Sequence, residues 1–547
     1  MTRQGRILIV DNLETWREEL VEILRRNGFH AESVSTVTDA LERLNESFYH
    51  ILVADIRMEE IDKSNTEGMG LLGKLEKSGL SEATKVIMLS AFGTPEQMRE
   101  AYTDHRVADF LTKDEFTEQS FLKSVEQAFS RDAKINLALE ILFQAGTSSE
   151  QAVLDLEVAG TRVERGTPLQ NEMAIELEDL LCRLFYHTNG ILVRPLTPGQ
   201  SGAGVLRIQP FYSNKGIGRE VIVKFGDVRK IQQEYDNFKE YVEPFVGGGR
   251  NTAVLDVRRM THLGGIIYTF LGTSSDQLVD FTEFYRRASV SQITDVLDRL
   301  FLETCGTWYA NHKRQLLDLT ADYRRLFGYT PEQLEQVRSK QLKSVRGKRR
   351  LRFTSLKGER TFTNPLLVMT GTPLACTTYT CSTHGDFNPH NLLVDNTGHV
   401  WLIDFQETGS SHILRDVAML DSAIRFQLLT EGDATLEERN HLEEALLESI
   451  QHFSEVEQLA SSISIGNQVL AKAYATVVHL RRLAHRLVAQ NQRLVTQNQD
   501  DDINEYYIAL FYSALNTLQF FSLPPVQREH ALLSASLLVD RLGLDSK

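Results

Sequence analysis

Asp386, Asn391 and Asp404 share the stretch HGDFNPHNLLVDNTGHVWLIDF, residues 384–405, in which Asn391 follows Asp386 by five positions and Asp404 follows Asn391 by thirteen. Phosphoryl transfer uses such a set: a carboxylate beside the attacking hydroxyl, and oxygen ligands that hold magnesium against nucleotide phosphates. Asp386 suits the first role, and Asn391 and Asp404 suit the second. A lone HGD or DF would say little, whereas the combined spacing is specific. Upstream, PGQSGAGVLRI offers Gly199, Gly202 and Gly204 between apolar runs, where absent side chains let backbone amides approach phosphate oxygens. Lys224 lies inside the apolar run EVIVKFG, a place for a charge only if it has a partner, and Glu234 comes ten residues later on a helical pattern. Taken singly, the glycines read as a hairpin turn and Lys224 as an edge-strand charge.

A second set lies near the start. Asp55 ends the apolar run HILVAD, where a carboxylate can accept a phosphoryl group. That reaction calls for a divalent ion, which Asp11 and Asp55 would share, for a hydroxyl such as Ser90, and for an ammonium such as Lys113.

These residues need particular elements to position them. Over residues 6–129, RILIV, HILVADI, KVIMLSA and ADFLTK alternate with amphipathic segments, the pattern of a parallel sheet whose ligands bind beyond the carboxyl ends of the strands. Trp16, Leu20, Ile23 and Leu24 mark one face of the first helix, with a stop at Asn27 and Gly28. Residues 131–190 read as a helical connector. Residues 191–275 read as a small α+β lobe of hairpin strands with one helix, and residues 276–547 as a helix-rich lobe. Near the end, Leu470, Tyr474, Val477, Leu480, Ala484 and Leu487 recur at helical spacing, as do Tyr507, Phe511, Ala514 and Leu518. Core packing is the first reading of both helices, and a homodimer face the alternative.

The length of 547 residues demands several units. A formal net charge of -15 opposes nucleic-acid binding, although RGKRRLR, residues 346–352, forms a basic run read as a solvated loop. The absence of a long apolar run opposes a membrane span, and the start reads as a strand and not a signal peptide, so a cytoplasmic protein is expected. Four scattered cysteines are expected to be reduced thiols; Cys376 and Cys381, near His384 and His390, lack the spacing of a metal site.

With ILIVDN, VADI, MLSA and LTK in order, residues 5–130 resemble a response-regulator receiver domain, which implies a flavodoxin-like parallel sheet. The resemblance makes Asp55 the phosphoacceptor, Asp11 a magnesium-pocket acid, Ser90 the switch hydroxyl and Lys113 the phosphate partner. It also implies a cognate histidine kinase or small phosphodonor. Asn12, a neutral oxygen donor, stands where that family has a second acid. Residues 190–440 resemble the aminoglycoside phosphotransferase and choline kinase branch of the protein-kinase-like fold, on HGDFNPHN, IDF and RDVAML. This implies ATP and Mg2+ bound between two lobes, YTFLG at 268–272 as hinge, and Asp416 as a structural brace. Only residues 407–414 separate IDFQ from RDVAML, too few for a peptide-docking platform, so an unknown non-protein hydroxyl acceptor is expected. The fold class expected is therefore multidomain α/β and α+β, a receiver plus a two-lobed kinase-like domain. The function expected is receiver control of an ATP-dependent phosphotransferase; the alternative is a nucleotide-binding pseudokinase scaffold. Transcriptional control fits the receiver alone, but no helix-turn-helix pattern accompanies it.

Overall fold

The computed structural model describes residues 3–58, 67–91, 94–196, 202–213, 216–245, 252–270, 278–328, 348–355, 358–368, 374–447, 450–459, 466–492 and 503–544. The chain divides into two compact units, Met1–Tyr235 with Thr252–Ser275, and Asp236–Asn251 with Asp276–Lys547.

The first unit begins with five parallel strands, β1 (Arg6–Val10), β2 (His30–Val34), β3 (Ile51–Ala54), β4 (Lys85–Ser90) and β5 (Asp109–Thr112), in the order β2-β1-β3-β4-β5. Helices α1 (Glu14–Arg26), α2 (Val37–Glu46), α3 (Glu67–Ser78), α4 (Pro95–Thr103) and α5 (Glu118–Gln127) follow the strands in turn. Ile7 and Ile9 face one core and Leu8 and Val10 the other, so β1 is apolar from Ile7 onward because both faces are covered. In α1, Leu20, Ile23 and Leu24 are buried as their spacing predicts, and the helix stops at Asn27.

The segment expected to be a helical connector is mixed. Residues Glu140–Phe143 form β6, Ser149–Ala152 a single turn α6, and Glu157–Val158 with Thr161–Arg162 the hairpin β7–β8. Only Pro168–Leu184 forms a long helix, α7. Strand β6 pairs in parallel with β9 (Gly190–Pro195) and so joins a second sheet. That sheet continues with β10 (Gly204–Tyr212), β11 (Gly216–Ile217), β12 (Val221–Asp227), helix α8 (Val228–Asn237), β13 (Thr252–Arg259) and β14 (Leu263–Phe270), in the order β13-β14-β12-β10-β9-β6 with β11 on β10. The core beneath it takes Leu177, Leu180 and Leu181 of α7, Val193, Ile208 and Val223 of the sheet, and Phe48 from the loop before β3.

In the second unit, β15 (Val279–Asp280), β16 (Lys313–Asp318), the hairpin β17 (Arg350–Ser355) and β18 (Gly358–Thr363), β19 (Ala375–Thr383), β20 (Leu392–Val394), β21 (Val400–Leu402) and β22 (Gly409–His412) build small sheets in the orders β15-β20-β21 and β16-β19-β22. The rest of the unit is mainly helical. In the helices Gln468–Gln492 and Asn504–Thr517, the apolar residues that the spacing singled out, from Leu470 to Leu487 and from Tyr507 to Ala514, are buried within this unit, as is Leu518 just after, which is the core reading. No helix among the described residues is long and apolar enough to cross a membrane.

Candidate functional site

In the parallel sheet, polar residues at or just beyond the carboxyl ends of four strands emerge at one edge. Asp11 follows β1, Asp55 follows β3, Ser90 ends β4 opposite Thr112, and Lys113 follows β5. Lys113 Nζ donates to Asp11 Oδ2 at 2.5 Å and to Asp55 Oδ2 at 2.7 Å. The remaining oxygens are held by the chain: Leu13 N–H donates to Asp11 Oδ1 and Arg57 N–H to Asp55 Oδ1. Burial raises the Asp11 pKa, against the hydrogen bond and charge of Lys113. Asp11, Asp55 and Ser90 are all buried. Arg17 grips the main-chain carbonyls of Asp11 and Asn12, and Lys113 Nζ lies 5.2 Å from the centre of the Trp16 ring. Sequence reasoning singled out Trp16 only as a core-face residue. Two converging carboxylates, with Asn12 next in sequence to Asp11, make a donor set suited to a hard cation such as Mg2+.

In the second sheet, Lys224 lies on the interior strand β12, opposite Val205 of β10 and Ile266 of β14. It is no edge-strand charge: its Nζ meets Glu234 Oε2 of α8 at 2.8 Å, both side chains being nearly inaccessible. Tyr268 O–H donates to Glu234 Oε1 at 2.5 Å, which fixes the carboxylate from β14. The glycines differ from expectation. Gly199 lies outside the described residues, as do Leu271 and Gly272 of the expected hinge. Gly204 is a strand residue and not part of the turn, and a Cβ there would lie 2.3 Å from the Phe225 ring. The absent side chain therefore makes room for a buried aromatic. Gly202 holds φ +71 against Glu157, and both glycines line a cavity of about 390 Å³ beside the β7–β8 hairpin.

In the second unit, β19 delivers the chain to His384, and β20 and β21 flank the turn between Asn391 and Asp404. Gly385 holds φ +85, and a Cβ would fall 2.0 Å from the Glu407 carbonyl oxygen, so only glycine fits. Asp416 braces the loop as expected, its Oδ1 accepting from Gly385 N–H and its Oδ2 from His384 N–H and Tyr309 O–H. His384 is buried, and burial lowers its pKa. Its Nδ1 faces Asp386 N–H at 3.4 Å, which leaves Nε2–H to donate to the Ile403 carbonyl at 3.0 Å and tie the two halves of the site together.

Asn391 Nδ2 donates to Asp386 Oδ2 at 2.9 Å and to the Asp386 carbonyl at 3.1 Å. The Asp386 carboxyl is pushed up to about 7 by burial and by the charge of Asp404, against Arg415 and the Asn391 amide. Asp404 adopts φ +68, rare for a side-chain-bearing residue and found preferentially where structure imposes it. The main chain just beyond Asp404 is pinned by the Asn237 amide, which donates to the carbonyls of Phe405 and Gln406. Asp386, Asn391 and Asp404 are thus brought together as the spacing predicts. Because the Asn391 amide nitrogen is committed to Asp386, its carbonyl oxygen and the Asp404 carboxylate are the donors suited to a divalent cation. Tyr309 and Arg415 were missed as site residues, Tyr309 because its neighbours in sequence give no sign of the loop it braces.

Comparison with known proteins separates the same two regions. The family model described as response regulator receiver domain matches residues 7–126. Similar solved structures include a signal receiver domain of an HD domain-containing protein from Pseudomonas fluorescens Pf-5, at 20% identity over 24% of this chain and 98% of that one, with a TM-score of 0.21. A CheY-like response regulator receiver domain protein from Methanospirillum hungatei JF-1 is 21% identical over 24% and 98% of the two chains, with a TM-score of 0.22. A response regulator from Thermotoga maritima is 17% identical over 23% and 99%, with a TM-score of 0.21. No curated protein matches the chain. The model described as ternary complex associated domain 9 matches residues 189–342 and 335–519, together more than half of the 547 residues. With a response regulator receiver domain ahead of that region, the chain belongs to the ternary complex associated domain 9 family.

Proposed function

We propose that this protein is a signalling phosphotransferase: its receiver domain, phosphorylated on Asp55 by a histidine kinase or a small phosphodonor, controls ATP-dependent transfer of a phosphoryl group to a non-protein hydroxyl acceptor. The observation that carries the reading is the loop around Asp386, where a half-buried carboxylate is oriented by the Asn391 amide, beside Asp404, on a turn that only Gly385 permits. In this reading Asp386 orients the acceptor hydroxyl and takes its proton. Asn391 and Asp404 hold magnesium. Magnesium would supply neutralisation of phosphate charge when bound. Lys113, already bonded to both Asp11 and Asp55, would pair with the phosphoryl group on Asp55.

A nucleotide-binding scaffold is the second reading, and Gly204 favours it, because its open space is taken by Phe225 and not left for a phosphate. Incubation with magnesium and labelled ATP, with the receiver treated with acetyl phosphate or left untreated, separates the two. For the enzyme, Asp386→Asn leaves the ATP dissociation constant within a few-fold while transfer or hydrolysis falls about 100-fold, the scale of a positioned acid-base group. Wild-type binding of magnesium-ATP with no turnover above the Asp386→Asn background, across a broad acceptor screen, would leave the scaffold.

A further inference from the structure

Arg415 opens the helix Arg415–Ala423 and is 1% exposed. Elsewhere in this unit buried arginines are bonded: Arg425 to Asp421 and Glu443, Arg481 to Asp421, and Arg439 to main-chain carbonyls. Arg415 forms no hydrogen bond or ion pair among the described residues, and its Nε is sealed without a partner. Its Nη1 lies against Gly385, 3.1 Å from where a Cβ there would sit, so the guanidinium is set beside the peptide that carries Asp386. On another side its Cζ is 5.9 Å from the centre of the Phe327 ring. Asp386, Asp404 and Glu407 contribute negative charge to this pocket, yet none of them bonds to Arg415.

Two features make this placement unfavourable unless something else binds there. A buried cation without a hydrogen-bonded partner loses hydration and gains little in return. A cation in the first helical turn also meets the positive end of the helix dipole, where the one acidic residue, Asp416, has both oxygens bonded to His384, Gly385 and Tyr309, and the N-cap Leu414 offers no side-chain bond to the first-turn amides. An anion would answer both, bonding to the planar fork of the guanidinium and lying at a helix N-terminus.

We propose that Arg415 receives an anionic group, phosphate or carboxylate, on the same molecule that presents its hydroxyl to Asp386. This rests on the phosphotransferase reading and narrows it: the acceptor is opposite in charge to the aminoglycosides and choline of the kinases that the catalytic loop resembles. Arg415 is then a specificity residue.

The test uses the full chain and compares glycerol, glycerol 3-phosphate and glycerate as probes, with inorganic phosphate as the simplest anion, by calorimetry. Wild type is expected to bind one of the two charged glycerol analogues at least tenfold tighter than glycerol, and which one is favoured distinguishes phosphate from carboxylate. Arg415→Met, which keeps the apolar stem, should close that gap and weaken inorganic phosphate at least fivefold, while Arg415→Lys retains part of both. Equal affinities for charged and neutral probes, or no change in Arg415→Met, overturn the proposal. Should Arg415→Met not fold, hydrogen exchange over residues 411–418 of wild type decides: inorganic phosphate slows it at least twofold, and no slowing overturns the assignment. Magnesium-ATP binding is recorded in the same samples. Its absence beside intact anion discrimination sinks the phosphotransferase reading alone, and its presence without anion discrimination sinks only the role of Arg415.

Discussion

Asp404 combines a metal ligand's chemistry with a backbone conformation that L residues avoid, φ +68. A Cβ in the left-handed region costs about 1 kcal/mol relative to glycine, and the surrounding strands must impose it. Replacing Asp404 by Gly or by Ala removes the carboxylate equally, so the two variants differ mainly in that strain. Asp404→Gly should be more stable than Asp404→Ala by about 1 kcal/mol, while on the proposed function neither variant would bind magnesium-ATP. Urea unfolding followed through Trp308 and Trp401, which belong to the same unit, measures the difference. Equal stabilities would mean that Asp404 is not strained. The proximity of Asp386, Asn391 and Asp404 was legible because they sit within one short stretch, where spacing brings them together. The isolation of Arg415 was not, since burial and the lack of a partner arise from what packs around it. Gly204 was legible as a glycine but misassigned in role, because the ring that needs its space is on the neighbouring strand β12.

At the scale of elements, α7 joins the base of the receiver sheet to the second sheet. His50, just before β3, accepts Arg6 N–H on Nδ1 and so donates Nε2–H to Asp179 Oδ1 at 2.6 Å. Arg183 Nε donates to the other oxygen at 2.9 Å. Burial alone would raise the Asp179 pKa, but His50 and Arg183 outweigh it and hold the carboxyl down at about 2. A folded pKa below the unfolded one stabilises above the unfolded value and is lost as pH falls, here between about 4 and 2, and amounts to roughly 2 kcal/mol. Asp179→Asn should flatten this acid limb in urea midpoints measured against wild type. His262, in the turn after β13, titrates with the opposite sign. Its Nδ1 faces Glu176 Oε2 and its Nε2 the Asn45 carbonyl, both acceptors, so the ring is held as an imidazolium. Burial opposes that charge, yet Glu176 prevails and the pKa is raised. Its stabilisation is present below about pH 6.5 and is lost as pH rises through the folded value, so His262→Gln should lower the midpoint at pH 5.5 more than at pH 8.5. A variant that shifts both pH values equally would remove His262 from this role. None of this was readable in the sequence. Alternation marked four of the five receiver strands and passed over β2, whose HAESV carries little apolar signal, while β6 lies in a run with helical composition and becomes a strand by pairing with β9, a case of tertiary pairing overriding local preference.

At the scale of the whole molecule, the receiver does not end where its family pattern does. Phe48, 2% exposed, belongs to the core under the second sheet with Leu177 and Leu181 of α7. The same side of the receiver sends Arg3 to Glu178, Ser47 to Glu172 and Glu82 to Arg259, so apolar burial and several polar bonds lie on one face. That face is at the amino-terminal ends of the strands, whereas Asp55 and Lys113 occupy the carboxyl-terminal rim. A fragment of residues 1–130 would keep the rim with Asp55 and Lys113 but expose Phe48 and strip His50 of Asp179. Burying one phenylalanine is worth about 1.5–3 kcal/mol, and breaking a buried polar pair adds to the loss. A fragment of residues 1–275 keeps both. Trp16 is the single tryptophan in either fragment, since the other two are Trp308 and Trp401, so one reporter serves both. Unfolding in urea followed by Trp16 fluorescence should give residues 1–130 a receiver less stable by about 2 kcal/mol or more than the same domain within residues 1–275. Equal midpoints and slopes would show that the base contact adds nothing and that the receiver is an independent module. A lower midpoint for the short fragment, with Asp55 still accepting a phosphoryl group from acetyl phosphate in both, would separate the two ends of the domain: chemistry at the rim, and a shared core at the base through which α7 and the second sheet are held.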